Sequence, residues 1–190
     1  LVKKFCQGNR SAESIQVLSA MKRGPAGCDA LNEAMQNLVN PASKGKNEHQ
    51  FSGRVFRSGD RILQTKNNYD IEWIGTNDGE KGKGIFNGDL GIIEDIDEKH
   101  KQIVVRFFDD KKAAYTFEQA ADFVLAYSMT VHKSQGGEFP IVIIPVYGGA
   151  PAFINRKLLY TAVTRAKRKL ILVGQAKALY MMIKSTDSTK

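Results

Sequence analysis

The chain has 190 residues, with 28 Lys and Arg against 20 Asp and Glu and a formal net charge of +8. That length allows one large or two small domains with a buried core, and the basic excess favours a polyanionic partner. Two cysteines, Cys6 and Cys28, are too few for a disulfide framework or a cysteine-based metal site, and no apolar run reaches transmembrane length. With no signal peptide visible either, the chain reads as cytoplasmic, and its start at Leu1 reads as a piece of a longer protein.

Residues 1–13 are polar and read as a frayed or leftover segment. Ile15–Leu18 is a short strand candidate, followed by the loop Ser19–Gly27, which carries Lys22, Arg23 and two glycines. A helix then opens at Cys28 or Asp29. Leu31, Met35 and Leu38 recur in it at near-helical spacing until Asn40-Pro41 ends it. Ala42–Phe56 lacks periodicity and is expected to be a mobile loop. Gly59-Asp60 leads into a strand over 61–65. The following Lys66-Asn67-Asn68-Tyr69 can bond a backbone phosphate and stack on a base, or form an ordinary Asx turn. Residues 75–84, with four glycines and mixed charges, read as a flexible insertion.

From Phe86 the texture changes. Asn87-Gly88 signals a tight turn, and apolar runs at 92–96, 102–108 and 113–117 are separated by charged turns, which predicts a small antiparallel barrel or meander. Its acidic and basic residues nearly balance, so it is a poor phosphate clamp by charge. Contact with nucleic acid through it would fall to side chains such as Phe86, Asn87 or Tyr115.

The densest polar chemistry lies in Tyr127–Glu138, Tyr-Ser-Met-Thr-Val-His-Lys-Ser-Gln-Gly-Gly-Glu. Thr130, His132, Lys133 and Ser134 can donate to phosphate or sugar oxygens, while Gln135 and Glu138 offer acceptors. Gly136 and Gly137 let the backbone come close to a ligand. The β-branched run Ile141–Ile144 that follows has no alternation, as in a parallel strand covered on both faces. Leu158, Leu159, Ala162 and Val163 then share one face of a predicted helix, with Thr161, Thr164, Arg165 and Arg168 on another. A second strand, Leu170–Val173, expected to be buried, completes a βαβ unit and gives Arg165 a rigid mount.

Thr130-Val-His-Lys-Ser-Gln-Gly-Gly-Glu-Phe-Pro resembles motif V of superfamily 1 helicases, and Leu159-Tyr-Thr-Ala-Val-Thr-Arg-Ala-Lys resembles their motif VI. Within that superfamily the chain looks most like RecD-like and TraA-like DNA helicases, with a UvrD-like helicase C-terminal domain, and the resemblance covers residues 14–175. It implies an α/β fold: a RecA-like parallel-sheet domain over 1–84 and 120–190, with a small SH3-like β-barrel inserted at 85–119.

The resemblance also implies ATP-driven movement along single-stranded DNA and duplex unwinding. The chain has no G-x-x-x-x-G-K-[ST] loop and no strand ending in an Asp-Glu pair to organise Mg²⁺. The phosphate-binding loop and the Mg²⁺ ligands are therefore expected in an N-terminal RecA-like domain, ATP binding between the two, and the fragment alone is expected to be inactive. By position, Arg165 is the arginine finger. Gln135, Gly136 and Glu138 face the nucleotide, with Glu138 accepting from the ribose hydroxyl. Thr130, His132 and Lys133, with Asn67 and Asn68, face DNA. Lys22 and Arg23 fall in the motif IV region, and the resemblance leaves either to reach the γ-phosphate. No metal ligand is expected in the chain itself. Two rival readings are a non-catalytic nucleic-acid-binding module and a P-loop phosphotransferase, the latter disfavoured because nothing here cradles a triphosphate unaided.

Overall fold

The computed structural model describes residues 14–148 and 155–185, so the expectation for residues 1–13 lies outside the described residues. The chain divides into two compact units, Leu1–Met35 with Tyr127–Lys190, and Gln36–Ala126.

The first unit is built on a four-stranded sheet, parallel throughout. Its strands are β1 (Ile15–Ser19), β11 (Ser128–Thr130), β12 (Phe139–Val146) and β13 (Ala166–Gly174), in the order β11-β1-β12-β13. As the unbroken β-branched run predicts, β12 is central, and Ile141, Val142, Ile143 and Ile144 are all buried. Helix α2 (Arg156–Val163) links β12 to its parallel neighbour β13, and α3 (Ala176–Lys184) follows. Asn155 caps α2, its side chain accepting from Leu158 N at 2.7 Å. Leu158, Leu159 and Ala162 are buried beneath it. Two expectations change here. Arg168 is not on the helix, because β13 already begins at Ala166, and β13 is an edge strand that leaves Leu172 and Val173 partly exposed.

Helix α1 (Cys28–Val39) starts in the first unit, where Asn32 takes the place of a strand against β11. Its amide donates to Ser128 O at 2.9 Å and its carbonyl accepts from Ser128 N at 2.7 Å. Both orphan edge groups of Ser128 are thereby satisfied.

The second unit holds the antiparallel hairpin β2 (Glu48–Phe51) and β3 (Arg54–Arg57) and a seven-stranded antiparallel sheet. The sheet comprises β4 (Arg61–Gln64), β5 (Asn68–Gly75), β6 (Lys81–Ile85), β7 (Leu90–Asp97), β8 (Gln102–Phe107), β9 (Lys111–Thr116) and β10 (Phe123–Leu125), in the order β10-β4-β7-β8-β9-β5-β6. The meander read from 92–117 is present as β7-β8-β9. The segments expected to be a mobile loop at 42–56 and a flexible insertion at 75–84 instead supply the β2–β3 hairpin and the turn into β6. The sheet thus draws residues 61–85 away from the parallel unit, and the compact division falls after Met35 and after Ala126 rather than at 84 and 119.

Tyr115 is fully buried and is corrected from the list of possible contact residues. Its ring lies edge-on to Phe123 with centroids 5.3 Å apart, and its hydroxyl donates to Gln64 Oε1 at 3.0 Å. Burial pushes that phenol well above its ordinary pKa. Among the described residues no helix is long and apolar enough to cross a membrane.

Asp60, also fully buried, ties α1 to the hairpin and to β4. Its carboxylate accepts from Gln36 Nε2 at 2.5 Å, Asn40 Nδ2 at 2.7 Å and Arg57 N at 2.7 Å. Removing it takes an acceptor from three donors at once, though Gln36 Nε2 keeps Val55 O and Asn40 Nδ2 keeps Ser58 O, so Asp60→Ala is expected to destabilise this unit by about 3 kcal/mol. Asp60→Asn should cost less. The chain's one tryptophan, Trp73, sits on β5, so its fluorescence during urea unfolding measures the effect directly.

Candidate functional site

Register fixes where the candidate residues sit. Ser19 pairs with Thr130, so the end of β1 and the end of β11 are level, and Ile15 and Val17 pair with Ile141 and Ile143 of β12. At the other end of β12, Phe139 pairs with Ala166, the first residue of β13. The stretch of strand from Phe139 to the level of Ser19 is about 20 Å long. The sheet therefore presents two separate ends.

The segment 131–138 connects them, because it leaves β11 at one end, crosses β1 and enters β12 at the other. Val131 N donates to Ser19 O at 3.1 Å and starts it. A 3-10 turn, His132–Ser134, follows, fastened by Ser134 Oγ donating to Val131 O at 2.7 Å and by Gln135 N donating to His132 O at 3.3 Å. Gly136 has φ +84, a left-handed conformation that glycine adopts without strain, and nothing would crowd a Cβ there. At Gly137 an added Cβ would meet Phe139 Cζ at 3.3 Å, a close but bounded packing limit. His132, Lys133, Gln135 and Glu138 are exposed, and Thr130 is half-buried with its hydroxyl accepting from Lys133 N at 3.4 Å.

Arg165 meets this segment where it enters β12. Its backbone carbonyl accepts from Phe139 N at 2.8 Å, and its guanidinium donates from Nη1 to Gly137 O at 3.1 Å and from Nε to Thr161 O at 3.3 Å. The Arg165 side chain is thus held against Gly137, with Gln135, Gly136 and Glu138 as its chain neighbours. These four candidates converge. Glu138 has a partner that the sequence reading did not foresee, Lys167, whose Nζ lies 3.1 Å from its Oε2.

Lys22 and Arg23 do not converge with Arg165. They follow Ser19 on the loop at the Thr130 end, and both are exposed. Ser19 Oγ donates to Ala26 O at 2.6 Å, while Cys28 N and Asp29 N return to Met21 O and Lys22 O, each at 3.1 Å. A Cβ at Gly27 would fall 2.6 Å from Arg23 O and 2.7 Å from Lys22 O, so only glycine lets the loop close so tightly. Rigid and basic, the loop sits at strand C-terminal ends, where parallel sheets bind ligands. Lys22 and Arg23 accordingly group with Thr130, His132 and Lys133.

Asn67 and Asn68 belong to the second unit and are largely engaged. Asn67 Oδ1 accepts from Asn87 N at 2.9 Å and its amide donates to Tyr69 Oη at 3.2 Å, while Asn68 Nδ2 donates to Asp122 Oδ2 at 3.1 Å. Their neighbours Tyr69 and Phe86 are the exposed groups, packed edge to face with centroids 5.8 Å apart. Charge is divided unevenly along the chain: Leu1–Met35 with Tyr127–Lys190 holds 15 of the 28 Lys and Arg but only five of the 20 Asp and Glu. The basic excess lies entirely with the parallel sheet.

Two family models match: the SH3 domain of ATP-dependent RecD-like DNA helicases over residues 31–107, and the UvrD-like helicase C-terminal domain over 125–173. The ATP-dependent RecD2 DNA helicase of Deinococcus radiodurans is 33% identical over 165 residues, covering 87% of this chain and 21% of that protein. The RecBCD enzyme subunit RecD of Mycolicibacterium smegmatis is 26% identical over 159 residues, covering 84% of this chain and 25% of its own length. The chain thus spans about a fifth to a quarter of these relatives. In fold it is similar to the crystal structure of Bacteroides Pif1 bound to ssDNA, with a TM-score of 0.54 and 19% identity over 93% of this chain and 44% of that one. Motifs V and VI, the two matched domains and these relatives agree, and the chain belongs to the superfamily 1 RecD-like helicases, of which it is a C-terminal portion.

Proposed function

We propose that this chain is the second half of an ATP-driven motor that moves on single-stranded DNA and unwinds duplex, completing a nucleotide site whose phosphate-binding loop lies in an N-terminal RecA-like domain. The observation that carries this reading is the Arg165 guanidinium held against Gly137 O at 3.1 Å. An always-charged planar fork, mounted at the junction of a helix and a strand, is suited to stabilise charge on a transferring phosphoryl group. Gln135, Gly136 and Glu138 line the same end and are read as nucleotide-facing. ATP arrives with Mg²⁺. The ion's protein ligands are assigned, with the phosphate-binding loop, to the N-terminal domain.

Thr130, His132 and Lys133, at the opposite end of the sheet, are read as the DNA-facing set, now joined by Lys22 and Arg23. The Bacteroides Pif1 structure with ssDNA and the concentration of basic residues on this unit support a DNA track across it. In the second unit, taken as the SH3-like barrel, the exposed Tyr69–Phe86 pair is the part chemically suited to stack on bases, with Asn67 and Asn68 holding the turn that presents it.

Three experiments test this. In the full-length protein, Arg165→Ala is expected to lower ATP turnover by about 10³ to 10⁵ while leaving ssDNA affinity intact; near-normal turnover would remove the finger assignment. Lys22→Ala and Arg23→Ala are expected to weaken ssDNA binding, and the slope of log affinity against log salt should flatten by about 0.7 for each phosphate left without its cationic partner. ATP turnover at saturating DNA should survive in both, whereas a large turnover loss with unchanged salt dependence would return them to the γ-phosphate. Finally, the purified 190-residue chain should show no DNA-stimulated ATP hydrolysis, and turnover that copurifies with it through several columns would contradict the two-domain site.

A further inference from the structure

The ladder between β12 and β13 is irregular at the Arg165 end. Phe139 pairs with Ala166 and Ile141 with Lys169, so Pro140 alone faces two residues of β13, Lys167 and Arg168. Proline brings no N–H to the ladder, which makes this a natural place for the pairing to slip. Bulges are uncommon in parallel pairs, and where they occur beside sites they re-aim a side chain. Of the two residues opposite Pro140, Lys167 makes the 3.1 Å ion pair to Glu138.

Both partners are more than half exposed, at 57% for Lys167 and 55% for Glu138, so the pair adds little to folding stability. Orientation is what it supplies. Glu138 follows Gly137, whose carbonyl holds the Arg165 guanidinium, so a carboxylate left loose there has that second cation to turn toward.

We propose that Lys167 is a positioning residue for Glu138, presented by the bulge opposite Pro140 so that the carboxylate is held ready to accept from a sugar hydroxyl of a ribonucleoside triphosphate. The proposal rests on the reading of Glu138 as the ribose acceptor. It adds the residue that sets the geometry and ties sugar discrimination to an irregularity in the sheet.

The test uses the full-length protein with ATP, 2′-deoxy-ATP and 3′-deoxy-ATP as substrates. Lys167→Ala is expected to raise KM for ATP about fivefold with kcat retained, the mark of weakened ground-state binding. Its preference for ATP over the deoxy analogue lacking the recognised hydroxyl should fall toward one. Lys167→Arg should restore both values, because a guanidinium can make the same pair, and Lys167→Gln should behave as the alanine variant while keeping side-chain length. Glu138→Ala should lose the same preference, and the double variant should be no worse than Glu138→Ala alone, since two residues acting through one interaction are not additive. If Glu138→Ala loses the preference and Lys167→Ala keeps it, positioning by Lys167 is overturned and the Glu138 reading stands. If Glu138→Ala keeps the preference, the ribose reading falls and this proposal falls with it.

Discussion

The whole site depends on β12 being hydrogen-bonded in parallel on both sides. A parallel pair cannot be joined by a tight turn, so the chain must enter β12 from β11 and leave it for β13 by crossovers. One crossover is the segment 131–138 and the other is α2. Both end at the same pole of the sheet, and that is why Gly137 and Arg165, 28 residues apart in the chain, can hydrogen-bond. The buried run Ile141–Ile144 provides the apolar burial, and the polar residues before it inherit a fixed position from it.

The same register separates two kinds of chemistry. At one pole a guanidinium, a carboxylate and a glycine turn lie together; at the other are a hydroxyl, an imidazole and three cationic side chains. The second unit, with 13 Lys and Arg against 15 Asp and Glu, has no basic excess with which to compete for a polyanion. It offers exposed aromatic surface instead.

What was legible in the sequence was local. Tyr127–Glu138 and Leu158–Gly174 carry their chemistry in contiguous residues running into apolar strands, so both the fold around them and the candidate side chains could be read directly. The poles could not. Lys22 and Arg23 were recognisable as a basic loop after a strand, but which end of the sheet that loop occupies is decided by pairings such as Ser19 with Thr130, more than a hundred residues apart. The β2–β3 hairpin and β6 are not legible because Lys81-Gly-Lys-Gly and the polar 42–56 stretch show no alternation of apolar with polar residues; edge strands and short hairpins are held by partners rather than by their own apolar pattern. Tyr115 was misjudged for a related reason, since an aromatic in a small sheet faces in or out according to register alone. The bulge at Lys167 left one trace in the sequence, Pro140, and a single proline does not say which neighbouring strand must give way.

The segment 131–138 has little slack. It must cover about 20 Å along the sheet and two strand spacings across it, a diagonal of about 22 Å, while spending three residues on a 3-10 turn that advances only about 2 Å each. A second turn, closed by Gly137 N donating to Ser134 O at 3.0 Å, shortens its reach further, against a maximum of about 3.3 to 3.6 Å per residue for an extended chain. The segment is therefore a ruler as much as a row of functional groups. Its residue count is dictated by the width and height of the sheet, so an inserted or deleted residue would have to be absorbed by its turns or by the strands it joins.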